Sequence, residues 1–468
     1  MNIFSRYWLS YMQAIMQLTT SMNSKNHANL STTIEDPYNS FFMPCTFLST
    51  YFVDASNSEL NKQLRSQDFL QNLKNYMKGI VNLDSIQKQN FGYSSLSNID
   101  SLIDQTLAFY NNNLVSINQT PHTVLAQIGG KTRILHYFRD SNETITTTSA
   151  TNTSLTKDVM PLLIVYAPIN RYHILDLSPD RSIVNKFVSA GFDVFLLDWG
   201  EEQSKDKLTI SDYIDNIEQA VELIRKITKK EKINLYGYSW GGTLCLIYCA
   251  LHNSKIKNLI LHSANLDFDK DDTVIAEWMR NFPAEKLSKE FNEMFGHLID
   301  LAFLMRNPVV HSTARLKYAL DMKEYDIFQF IQNLWKISLW ITNTPDLSSQ
   351  FFSQFSMDLY QKNLLLKNQL SILQRRKLTA KEIAPVNLKN ITIPILNIIA
   401  SKDDLVSPKS SMPISEVVAS KDKKTIEIPS GHIELCISYD AHKNLWPEVV
   451  DWLLSKSDIK EEGKSVPN

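Results

Sequence analysis

Between residue 120 and about residue 455 the chain alternates short apolar runs with amphipathic stretches. Leu162-Leu163-Ile164-Val165-Tyr166, Asp193-Val194-Phe195-Leu196-Leu197 and Ile233-Asn234-Leu235-Tyr236 are brief and almost wholly apolar. Strands buried on both faces read this way. Leu259-Ile260-Leu261 and Ile395-Leu396-Asn397-Ile398-Ile399 supply two more. Thr123–Ile128 and Arg133–Phe138 read as paired strands around Gly129-Gly130-Lys131, a hairpin turn signal. Between strands, Ser211 to Ile227 sets Ile214, Ile217, Val221 and Ile224 at helical spacing behind a serine cap. Such alternation predicts a mostly parallel sheet covered by helices on both faces.

From Asp267 to about Ile383 the strand signals stop. Helix formers and aromatics take over, among them Phe328, Phe330, Trp335, Trp340 and Phe351-Phe352. An insertion of that length between two strands predicts a helical cap over the carboxyl edge of the sheet. At the amino terminus, Phe4, Trp8, Tyr11, Ile15, Leu18 and Met22 recur at three- and four-residue steps, predicting an amphipathic helix. Packing on the protein or on a partner helix is its plainer role. Attachment to a lipid or polymer surface is the sharper one, although the basic face of a membrane-surface helix is missing. Residues 25–120 are polar and mixed, with helical patches at Phe69–Ile80 and Leu102–Tyr110. Residues 141–157 are rich in Ser, Thr and Asn and read as a solvated loop. The charged tail reads as disordered. The expected organisation is therefore a mostly helical extension over 1–119, a catalytic core over 120–267 and 384–455, a helical cap over 268–383, and a disordered tail over 456–468.

Composition narrows the function only by exclusion. The 468 residues are 43% hydrophobic and 21% charged, ordinary for a globular chain longer than one usual core. A net charge of −2 argues against nucleic acid as the partner. Cys45, Cys245, Cys249 and Cys436 lack metal-like spacing and are expected to be free thiols in a reducing compartment. No apolar run reaches the roughly 18 residues of a spanning helix, and no secretory h-region with a cleavage site stands out. The reading is cytoplasmic, so the triplets at Asn142 and Asn152 carry little weight as glycosylation sites.

Chemistry enters with Ile233 to Thr243, INLYGYSWGGT. Gly237-x-Ser239-x-Gly241 follows a strand and precedes an apolar helix containing Leu244, Ile247 and Leu251, the context of a nucleophile elbow. The turn is strained, and the positions two before and two after the nucleophile must be small for strand and helix to pass. A serine hydroxyl needs a base, and the base an orienting acid. In the α/β-hydrolase arrangement the acid and then the histidine follow the serine in chain order. Asp403 follows the strand Ile395–Ile399, and His432 follows Thr425–Ile428 on the loop Pro429-Ser430-Gly431. Asp403 is preferred over Asp404, its expected solvated neighbour, because it lies nearer the strand end. The oxyanion hole should take one backbone donor from Trp240 and another from the loop after Tyr166. Pro168 has no N–H there, which leaves Ile169 or Asn170.

With these residues in hand, four segments resemble the polyhydroxyalkanoate synthase catalytic subunit, most closely its two-subunit, class III type. They are PLLIVYAPINRYHILDLSPDRSIV (Pro161–Val184), VFLLDWG (Val194–Gly200), LYGYSWGGT (Leu235–Thr243) and PSGHIELCIS (Pro429–Ser438). Asn170 to Leu177 is the most specific of the matches, and Trp446 to Leu453 fits too. The resemblance covers about residues 120–455. It implies an acyltransferase that joins (R)-3-hydroxyacyl units from coenzyme A thioesters into a polyester, without metal or redox cofactor. It also implies hydroxyacyl-CoA and the growing polyester as partners, an accessory subunit, self-association as a homodimer, and a place at the surface of polyester granules. By position, Ser239 takes the nucleophile's place, His432 the base's, and Asp403 that of the acid. Two departures stand out. The family's nucleophile is normally cysteine, and Cys245, six residues on inside the helix, cannot stand in for it. Glu434 occupies a family glycine position; solvent is its expected direction, and a site-facing carboxylate would raise the pKa of His432. A serine esterase, thioesterase or polyester depolymerase on the same fold remains open, as does an idle homologue that binds granules or a partner.

Overall fold

The computed structural model describes residues 120–138, 160–200, 207–306, 336–337, 340–341, 343–377 and 380–456. The predicted amino-terminal helix, the patches at 69–80 and 102–110, the loop at 141–157, Cys45, the aromatics at 328, 330 and 335 and the tail beyond 456 lie outside these residues.

Each apolar run becomes a strand. Strand β1 (His122–Ile128) and β2 (Thr132–Tyr137) form an antiparallel hairpin. Strands β3 (Pro161–Val165), β4 (Asp193–Asp198), β5 (Ile233–Tyr238), β6 (Ile256–His262), β7 (Ile395–Ala400) and β8 (Lys423–Ile428) follow. Among the described residues the main sheet has eight strands in the order β1-β2-β4-β3-β5-β6-β7-β8. Every neighbouring pair from β4 to β8 is parallel, and β2 runs against both of its neighbours. Strands β3, β4 and β5 are buried at every position, so both faces are covered and there is no polar alternation to preserve.

Helix α1 (Ile183–Ser189) packs with the carboxyl-terminal helix α8 (Trp446–Lys456) through the edge-on contact of Phe187 with Trp446. Helix α2 (Ile210–Thr228) meets α3 (Trp240–His252) through the hydrogen bond from Tyr248 to Glu218. The start of α2 differs from expectation. Thr209, not Ser211, is the N-cap, and its N–H and hydroxyl both donate to Asp212. The Ser211 hydroxyl instead accepts the Leu373 N–H. Capping by a residue three positions before its acid satisfies two groups at once, which a lone serine at 211 could not do.

Between β6 and β7 lie α4 (Val274–Asn281), α5 (Ala284–Glu290), α6 (Gly296–Arg306) and α7 (Ser349–Gln354), the last continued by a wider helical turn, Phe355–Gln361. The stretch is not helical throughout. Ser371–Lys377 pairs with Ala380–Pro385 as an antiparallel hairpin, and Glu293–Met294 pairs with Leu347–Ser348. The hairpin lacks an apolar alternation, which is why its sequence gave no strand signal. Among the described residues no helix is long and apolar enough to cross a membrane.

Candidate active site

Ser239 sits where β5 turns into α3, at φ 56° and ψ −129°. A non-glycine residue is strained there, at a cost of about 1–3 kcal/mol. Neighbouring strands and the helix hold it in place. Its N–H donates to the His262 carbonyl at the end of β6 (2.8 Å), and its carbonyl accepts from the Gly242 and Thr243 N–H groups (2.8 and 3.3 Å). The flanking glycines are required by contact. A Cβ on Gly241 would lie 2.4 Å from the Val165 carbonyl oxygen, and one on Gly237 would lie 2.9 Å from the Cys245 sulfur. Gly242, which the motif does not include, abuts Ala264 in the same way. The adjacent Gly-Gly pair was the signal for it.

His432 is buried, and its Nδ1 lies 2.7 Å from the Asp403 carboxylate. The other Asp403 oxygen accepts the backbone N–H groups of Leu405 (2.9 Å) and Val406 (2.8 Å). These three bonds fix the carboxylate, and through it the ring, leaving Nε2 as the nitrogen for chemistry. Asp404, next in sequence, is exposed. The imidazole also packs against the Tyr238 ring, with centroids 5.1 Å apart. Glu434 departs from the solvent-directed expectation without turning to the imidazole. Its carboxylate accepts the Gly431 N–H (2.8 Å) and the Ser430 hydroxyl (3.3 Å). It ties down the loop that carries His432, because the N–H groups preceding a short helix need an acceptor.

Ser239 and His432 line one cavity of about 320 Å³. Its walls are largely apolar: Trp278, Phe282, Met294 and Phe303 come from the insertion, and Trp240 from the helix after Ser239. Trp240 is locked, stacked on Phe355 with centroids 4.0 Å apart, its Nε1 donating to the Tyr360 hydroxyl (3.1 Å). Ser239 is the only serine, threonine or cysteine among the described lining residues. Cys245, Cys249 and Cys436 are free and buried, and burial pushes all three thiols up, away from the thiolate.

The loop after β3 is held from the sheet side by residues outside the motif. The Tyr166 carbonyl accepts Trp199 Nε1 (2.8 Å), and the Tyr166 hydroxyl donates to Asp198 (3.3 Å). Arg133 donates to the same carboxylate. The Asp198-Trp199 pair lies within VFLLDWG, so its signal was present without its role. Ile169 and Asn170 both reach the cavity, but they are not equivalent. The Asn170 N–H closes a turn onto the Ala167 carbonyl (3.4 Å), and its side-chain oxygen accepts from Thr344 (2.9 Å).

A family model described as the alpha/beta hydrolase fold matches residues 173–435. The poly(3-hydroxyalkanoate) polymerase subunit PhaC of Haloarcula marismortui is 34% identical over 353 residues, 74% of this chain and 70% of the relative. That of Haloferax mediterranei is 34% identical, covering 74% and 66%. That of Allochromatium vinosum is 33% identical, covering 63% and 80%. An eight-stranded, mostly parallel sheet with a serine on its sharp strand-to-helix turn is an α/β-hydrolase fold. Within that fold, the chain belongs to the poly(3-hydroxyalkanoate) polymerase family, and it is an acyltransferase.

Proposed function

We propose that this chain polymerises (R)-3-hydroxyacyl units from coenzyme A thioesters through an ester on Ser239. The observation that carries the reading is the convergence, in one apolar cavity, of the strained Ser239 with a His432 already bound to Asp403. His432 Nε2 removes the Ser239 proton as Oγ attacks the thioester carbon. The oxyanion is met by the N–H groups of Trp240 and Ile169, Asn170 being committed to Ala167. The C–S bond breaks, and the proton returns from His432 to the departing thiol. A second hydroxyacyl group then gives its hydroxyl proton to His432 and attacks the Ser239 ester. The C–O bond to serine breaks, Ser239 recovers its proton, and the chain is one unit longer. Asp403 holds the imidazole in the required tautomer throughout and balances its charge.

The cavity supports this reading in two ways. Its volume lies at the small end of the usual range of about 300–1,000 Å³, suited to a short acyl unit with the coenzyme outside. Its largely apolar lining disfavours water, and water at the same carbon would make the enzyme a hydrolase. We assign residues 268–383 as the cap that supplies this lining. An accessory subunit, suggested by the relatives' names, and work at the surface of the growing polyester belong to the same reading.

The test is incubation with 3-hydroxybutyryl-CoA, followed by mass spectrometry of the peptide around Ser239 and analysis of the product. An acyl mass on Ser239 with insoluble polymer is expected. Release of coenzyme A with only free hydroxy acid would assign a thioesterase. Undiminished turnover in Ser239→Ala would remove the serine from the mechanism.

A further inference from the structure

The insertion meets the Ala167–Arg171 loop through a short polar junction. The Thr344 hydroxyl donates to the Asn170 side-chain oxygen (2.9 Å), Trp340 Nε1 donates to the Arg171 carbonyl (2.6 Å), and Arg171 Nε donates to the Asn343 carbonyl (3.2 Å). On its other side, residues 344–346 grip the start of α6. The Gly296 N–H donates to Asp346 (2.8 Å), and a Cβ on Gly296 would lie 1.9 Å from the Thr344 carbonyl oxygen. Ile299, Ala302 and Phe303 of α6 line the cavity. Thr344 therefore stands between a wall of the acyl cavity and the loop that carries the second oxyanion donor.

We propose that Thr344 is a positioning residue: it sets the Ile169 N–H for the oxyanion by bonding Asn170, and it does so only with α6 seated against Gly296. The proposal rests on the oxyanion assignment made above. Asn170 is held at two points, its N–H on Ala167 and its side chain on Thr344, so the turn between them cannot rotate while both persist. Asp300, buried on α6, faces Thr344, whose side chain and backbone both favour its carboxylate. Burial pushes the Asp300 carboxyl up to about 7, against the opposing influence of Thr344 and Arg171. Thr344 thus joins the seat of α6 to the oxyanion loop through Asn170.

A donor aimed at the oxyanion acts in the transition state more than on bound substrate, so its misplacement lowers kcat and leaves KM nearly unchanged. The experiment measures coenzyme A release and Ser239 acylation with 3-hydroxybutyryl-CoA. It compares wild type, Thr344→Val, Thr344→Ser, Gly296→Ala and the Gly296→Ala/Thr344→Val double variant. Thr344→Val should lose about tenfold in kcat, the worth of one hydrogen bond, with KM within about twofold. Thr344→Ser should recover most of the loss. Gly296→Ala, which keeps the Thr344 side chain but crowds its carbonyl, should show the same kcat signature, and the double variant should be no worse than the poorer single. A normal kcat in either single variant, or losses that multiply in the double, overturns the link while acylation of wild type leaves Ser239 standing. Wild type that releases coenzyme A with no acyl on Ser239 removes the proposed mechanism, and the role of Thr344 goes with it.

Discussion

The elbow and the insertion face each other across one cavity, yet they are held by different forces. At the elbow, backbone meets backbone: Gly241 passes within van der Waals contact of Val165 and Tyr166, and Ser239 is hydrogen-bonded to β6. In the insertion, side chains reach distant carbonyls. Ser349 donates to Phe291, Ser353 to Ala284 and Ser356 to Met279, while Trp240, Phe351 and Phe355 pack ring on ring. A backbone-packed turn tolerates almost no change of shape. A surface joined by separate side-chain bonds can lose one and keep the rest. Ser239 is placed by the rigid side, and most of the apolar walls of the cavity come from the adaptable one.

Four variants can break or sharpen that contrast. The largest effect is expected on the rigid side: His432→Ala should lower the rate more than about a thousandfold, by analogy with triad removals. Initial rates of coenzyme A release check it, and a retained rate would mean another base. On the adaptable side, Asp300→Asn should raise stability. The Asp300 carboxyl is ordinarily near 3.8 and is pushed up to about 7 in the fold. Between those values the unfolded chain gives up its proton and the folded one keeps it, so stability falls as pH rises through that window. The full cost is present above it, with Arg171 the charged group set against it. The amide should therefore raise the melting temperature at pH 8 and leave it unchanged near pH 4, with a ceiling on the order of 4 kcal/mol. A gain independent of pH would contradict the assignment.

Gly241→Ala follows. Its methyl group would meet the Val165 carbonyl at 2.4 Å, and overpacking of this kind costs about 1–3 kcal/mol. Chemical denaturation of the variant measures it, and wild-type stability would show that the turn yields more than the backbone contacts imply. The smallest effect is expected from Ser239→Cys, which should raise polymerisation severalfold. A cysteine thiolate and the coenzyme A thiolate are near-equal leaving groups, so acyl exchange is easier than from a serine ester. A poorer polymeriser than wild type would show that the cavity is tuned to the hydroxyl.

The amino-acid sequence by itself determined the strands, the elbow and the order in which serine, acid and histidine arrive. Each is a local matter: a run buried on both faces, a turn that only glycine can flank, a loop at a strand's end. Tertiary structure decided the rest. Asp403 meets His432 while Asp404 faces water, and Glu434 bonds its own loop. Asn170 spends its N–H on Ala167, Thr209 displaces Ser211 as a cap, and a hairpin crosses a stretch with no strand signal. These outcomes depend on where a carboxylate or an amide finds a partner in space. Asn170 and Thr344 are 174 positions apart along the chain, and no local pattern records that they touch.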